Sequence, residues 1–124
     1  MPTYSEPNRP FQFLLSEGEG AISRETITVA SGAGILQPGT VLGKVTASGK
    51  YVAYDNDASD GSQTAAAILC YGADATSADV STAAIVRLAE VSKANLAWGA
   101  AVTTTGEKDA AYVDLAAAFV IART

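Results

Sequence analysis

The sequence predicts a mainly β domain with one C-terminal helix, an α+β arrangement, and three observations carry the prediction. Two β-branched and aromatic runs, Val41 to Val45 and Tyr51 to Tyr54, flank Ala47-Ser48-Gly49, the pattern of a hairpin. Ala65 to Tyr71 is short, nearly all apolar and bounded by turn residues, as in a strand buried on both faces. Thr103-Thr104-Thr105 precedes Glu107, Asp109 and an alanine-rich stretch through Ala118, which reads as a capped helix with acids in its first turn.

The chain divides at about residue 24 into an N-terminal arm, residues 1–24, and a β-rich domain, residues 25–124. The first part holds Pro2, Pro7 and Pro10, charges of both signs and a single apolar knot, Phe11 to Leu15. So few apolar groups do not readily offset the entropy of ordering the segment alone, so it is expected to be extended and mobile in the free protein. The knot has two readings. Either Phe11, Phe13, Leu14 and Leu15 fold back as an edge strand on their own domain, or they add a strand to a partner's sheet, where main-chain hydrogen bonds give affinity.

Within the domain, Glu25 to Ala30 alternates polar and apolar residues, with Ile27 and Val29 on one face, and so reads as a half-buried strand. Ser31 to Gly34 turns it. Gly32-Ala33-Gly34 lacks the third glycine of a dinucleotide fingerprint, and Pro38-Gly39 interrupts the helix that would receive a pyrophosphate. Asp55 to Gly61 is rich in residues that bond their own backbone. A calcium-loop register begun at Asp55 fails, because Asp60 stands where glycine is required and Ala66 where a bidentate glutamate is required. Gly72 to Asp79 reads as a loop. In Ser81 to Val91, Ala83, Ala84 and Ala89 favour helix while Ile85, Val86 and Val91 favour strand. Trp98 is expected to be partly buried, and Phe119 to Ile121 should form a closing strand ending near Arg123.

Composition removes whole classes of function. The formal charge is −5, and the eight basic residues are scattered singly, so no patch is available to release counterions from nucleic acid. Histidine is absent, and with it the commonest general base and metal ligand. Cys70 lies alone in an apolar run, and no serine sits in a nucleophile elbow. The close carboxylates, Glu17 with Glu19 and Asp55 with Asp57, lie in stretches too solvated to sustain a raised pKa. No catalytic residue, metal, cofactor or small-molecule substrate is therefore expected. No apolar run approaches the roughly 20 residues of a membrane span, so no membrane partner is expected, and a disulfide-stapled secreted fold is excluded.

The series GTVLGKVTASGKYVAYD, DGSQTAAAILCYGADAT, AIVRLAEV and LAW, followed by an alanine-rich segment running into FVIAR, resembles the lambda protein D-like head decoration proteins of tailed phages. The resemblance covers roughly Ser23 to Arg123 in order, and the longer N-terminal section is that of prophage-type members. It implies a small β-barrel-like domain of the β-tulip kind, selects strand for Ser81 to Val91, and favours the partner-binding reading of the knot. It further implies a homotrimer at three-fold sites on the outside of the expanded head, bound to the major capsid protein and made in the host bacterial cytoplasm. The expected capsid-binding residues are Phe11, Phe13, Leu14 and Leu15, with Arg24 and Glu25 as polar anchors. Glycine follows Trp98 where the archetype has proline. The rival from another class is a free-standing ligand- or carbohydrate-binding β-domain using Trp98 with Tyr51 or Tyr54 as a platform.

Overall fold

Strands apolar on both faces form the shared wall between two cores. A computed structural model describes residues 9–20 and 22–124. In chain order these run β1 (Leu14–Glu17), β2 (Arg24–Val29), β3 (Gly34–Leu36), β4 (Val41–Lys44), β5 (Tyr51–Ala53), β6 (Ala65–Leu69), β7 (Ala73–Ala75), β8 (Val80–Ile85) and β9 (Ala89–Ser92). A short 3-10 turn (Lys93–Asn95), helix α1 (Thr105–Ala117) and β10 (Val120–Arg123) complete the chain. The mainly β fold with one C-terminal helix is as the sequence predicts.

Strands β2, β5, β4, β6 and β8 close into a barrel in that order. The expected hairpin is β4 against β5, with Leu42 opposite Ala53 and Lys44 opposite Tyr51. Along β6 the side chains alternate as a pleat requires. Ile68, with Cys70 just beyond the strand, faces a core shared with Val41, Tyr54, Ile85, Val91 and Leu115. Ala67 and Leu69 face a second core with Ile27, Val29, Leu42 and Tyr51. The expected strand is thus buried on both faces from Ala67 to Leu69, while Ala66 is only partly buried and Tyr71, beyond the strand, is exposed.

At Gly43, where the β4–β6 register shifts, the backbone of Ser62 crosses the strand. A β-carbon built on Gly43 stands 2.6 Å from Ser62 Cα, so only glycine fits. Beyond β5, the acidic loop folds on its own carboxylates: Asp57 N–H donates to Asp55 Oδ1, and Ser62 donates from both N–H and Oγ to Asp60 Oδ1. These bonds hold the Asp60 carboxyl below its ordinary range, the Ser62 hydroxyl contributing most.

Helix α1 lies over the first core, burying Ala111 and Leu115. Thr104 caps it, accepting from Glu107 N–H, as the threonine run foretells. Asp114 of the helix accepts the Ala65 N–H at 3.0 Å, and the Tyr54 hydroxyl donates to Glu107 O at 3.3 Å, so the helix is tied to the barrel by polar contacts as well as by packing.

Two strands were not expected. Gly72 to Asp79 contains β7, which pairs antiparallel with β3. Each is only three residues long, too short for periodicity to register. The expected single strand from Ser81 to Val91 is divided: β8 belongs to the barrel and β9 to a separate three-stranded sheet, with Leu88 between them at φ 52°.

The described part of the expected arm does not stand apart from the domain. In the separate sheet, β9 lies between β1, antiparallel, and β10, parallel. Phe13 is wholly buried in the first core, and its carbonyl accepts the Ser92 N–H at 2.7 Å. The edge-strand reading thus describes Leu14 to Glu17, because a phenylalanine filling the gap between β9, β6 and the helix gains far more than an exposed one. The extended, mobile character expected of residues 1–8 lies outside the described residues.

Two outcomes follow. Phe13→Ala should lower unfolding free energy by about 3–5 kcal/mol, measured by denaturant titration. Gly43→Ala should destabilise despite adding one methyl, by about 1–3 kcal/mol in the same measurement, since a backbone segment must move to admit it.

Candidate functional site

Among the described residues, no group of three or more His, Cys, Asp or Glu side chains is clustered where a metal ion would sit. The Cys70 thiol is buried, which pushes its pKa up to about 11, so it is not a poised nucleophile. Glu17, one of the close carboxylates, is held below its ordinary range, chiefly by hydrogen bonds from Arg24. That shift is opposite to the one a general acid near neutral pH requires.

Two adjoining shallow grooves, of about 370 and 260 Å³, share Ala33, Ala53, Gly99 and Ala100. Their walls include many small side chains, and Asp55 is the only carboxylate among the described residues lining either. The aromatic platform of the rival reading is not formed. Tyr54 is 1% exposed and Tyr51 9%, each turned inward to a core. Trp98 is half-buried as expected, packed edge-on between Tyr54 and Tyr112 with ring centroids 6.4 and 5.7 Å away. Burying those rings is worth more than presenting them.

The six expected contact residues divide by burial. Phe13 is wholly buried within the single chain. Leu14 is partly covered by the core, while Leu15 is 55% exposed. Phe11 adopts φ 59° and packs edge-on against Tyr71 at 5.1 Å. Arg24 Cζ lies 4.4 Å from the centre of the Phe11 ring, a cation–π contact that draws the two expected residues together. The same guanidinium makes a bidentate pair with Glu17, Nε at 2.9 Å and Nη2 at 2.6 Å. Glu25 pairs with Arg87 at 3.1 Å. Exposed pairs such as these add little stability, but they cancel charge on the surface they occupy.

Beside Arg24 and Glu25 lie three exposed apolar residues that were not singled out beforehand: Ile22 at 51%, Leu88 at 40% and Phe119 at 68%. Leu88 and Phe119 both have left-handed backbones, with φ 52° and 62°. The Leu88 N–H donates to Ala118 O at 3.3 Å and the Ala89 N–H to Phe119 O at 3.0 Å, which sets the two residues side by side. The Leu88 carbonyl accepts from Gly18 N–H at 3.0 Å and from the wholly buried Ser23 hydroxyl at 2.8 Å. A β-carbon on Gly18 would meet both Ile22 Cγ2 and Leu88 Cβ, so those side chains flank the same backbone position. Arg87, a lone charge between Val86 and Leu88, is the one sequence signal that the strand is interrupted here.

This surface holds exposed apolar groups with paired charges beside them. A family model described as bacteriophage lambda head decoration protein D matches residues 3–120. No match to a curated protein accompanies it. With all but the first two and last four residues matched, the chain belongs to the bacteriophage lambda head decoration protein D family, a family of structural components of phage capsids rather than of enzymes.

Proposed function

We propose that this protein is a cementing protein: it binds as a homotrimer to the outer surface of the expanded phage head at three-fold sites and clamps neighbouring shell subunits against the pressure of packaged DNA. The observation that carries this reading is the family match over residues 3–120. A body with no candidate reaction centre among its described residues and with exposed apolar groups near its N-terminal segment supports it.

The mechanism needs only binding. Three copies of a contact held in one trimer raise the effective concentration of each contact at the next site, so weak attachments become strong together. A trimer that fits the expanded shell better than the unexpanded one stabilises the expanded state by mass action. The partner is the major capsid protein, on the capsid exterior, after synthesis in the host cytoplasm. Residues 1–24 act as the attachment segment: Phe13 anchors it from within, while Leu15, the outward parts of Phe11 and Leu14, and the polar groups of Arg24 and Glu25 face the shell. An acidic chain with singly scattered basic residues has no role for nucleic acid in this arrangement.

Mixing the purified protein with unexpanded and expanded heads tests the reading. The protein should cosediment with expanded heads only, and light scattering should give three times the 12.6 kDa chain mass. Equal binding to both head states, or a monomer at concentrations that saturate the heads, would overturn it.

A further inference from the structure

We propose that the groove between β3 and the segment Ala97 to Ala100 is a docking site for the chain's own residues 1–8, which cross it as a proline-dotted strip in the free protein. The inference goes beyond the head-binding reading and does not depend on it.

The place where the described chain begins sets the geometry. The Arg9 N–H donates to Gln12 Oε1 at 2.9 Å, and Gln12 Nε2 donates to Asn95 Oδ1 at 3.3 Å. Residue 9 is therefore one glutamine side chain away from Asn95, in the 3-10 turn that leads into Leu96, Ala97 and Trp98. Ala97 and Trp98 line the groove of about 260 Å³ together with Ile35, Gln37, Ala53 and Ala100. The five residues from Asn95 to Ala100 span at most about 18 Å, whereas eight extended residues span about 26–29 Å. Residues 1–8 are long enough to cross the whole groove.

Their point of departure is also fixed. The Gln12 N–H donates to Arg9 O at 3.1 Å and the Leu14 N–H to Phe11 O at 3.0 Å, so the chain turns between residues 9 and 14. Phe11, at φ 59°, is held in that turn by Arg24 over its ring and by Tyr71 at its edge. A segment tethered at a fixed point within reach of a site meets it at an effective concentration on the order of millimolar. A second copy of the chain or a shell protein must compete against that advantage, so the chain's own residues are the occupant.

The groove and the segment match in chemistry. Pro2 and Pro7 fix their own backbones near the polyproline value and bias Met1 and Glu6 toward extended conformations. Strips of this kind dock in shallow grooves that offer an aromatic ring. Trp98 is that ring, half-buried at the groove wall. Ile35, at 76%, is the most exposed large apolar side chain among the described residues, and Pro2, Tyr4 and Pro7 supply apolar surface to cover it. Alanines along the walls let a backbone approach closely. The volume lies below the roughly 300–1,000 Å³ of small-molecule cavities, which favours a strip of chain over a compact ligand.

A nitroxide attached to Thr3→Cys in the full, isotopically labelled chain tests the docking, with amide line broadening as the readout. Cys70 is wholly buried and its thiol is pushed up to about 11, so the label goes to position 3 alone. The amides of Ile35, Gln37 and Ala97 to Ala100 should lose most of their intensity and regain it when the nitroxide is reduced. Ala100→Arg in the same chain places a long charged side chain in the groove from an exposed position, and should lower the docked population roughly ten-fold with an unchanged melting temperature. Absence of broadening at these amides, or equal broadening with Ala100→Arg present, overturns the proposal. Nitroxide-bearing chains without isotope are also mixed with isotopic chains lacking nitroxide. Broadening in that mixture would put a neighbouring copy's residues in the groove and overturn docking within one chain. No heads enter these measurements, so their failure leaves the cosedimentation test of the head-binding reading untouched.

Discussion

Strand β9 is the constraint on which the N-terminal and C-terminal parts of the chain both depend. It carries β1 on one side and β10 on the other, and it turns Val91 into the core that Phe13, Leu115 and Val120 complete. Neither flanking strand has another partner in that sheet, so the first and last described strands are held through one four-residue element. Phe13 seals the arrangement. Its ring fills the space beside Val91 and its carbonyl bonds Ser92, which joins side-chain burial and main-chain pairing in one residue.

The hairpin, the doubly buried β6, the capped helix and the final strand were legible because each writes its signal in adjacent residues. Gly49 permits a tight reversal, Ala67 to Leu69 alternate between two cores, and Thr104 stands three residues before Glu107. The strands β3 and β7 escaped notice because three residues cannot display a period, and their pairing joins positions about forty apart. Leu88 escaped for a different reason. The left-handed Leu88 accepts from Gly18 and Ser23 and donates to the Ala118 carbonyl, and nothing in the local composition announces it.

Of the residues proposed to face the shell, Arg24 and Glu25 lie at the surface, while Phe13 is buried in the first core. A proline-dotted sequence with one greasy knot fits both a tether and an edge strand. Only the matching cavity between β9, β6 and α1 distinguishes them for Phe13. Ile22, Leu88 and Phe119 come from three distant stretches, so no motif gathers them. Their exposure is a property of the fold, and the interruption at Arg87 is its faint trace in the sequence.

The central place of β9 also orders events during synthesis. The strand that receives β1 lies some seventy residues downstream, and its other neighbour about thirty residues further on. An emerging chain therefore has Phe13 without its pocket until β9 and α1 have followed, and the barrel wall without its helical lid. Such long-range closure folds slowly, favouring a single cooperative step once β10 has emerged. The formal charge of −5 then sets a mutual repulsion between unfinished chains.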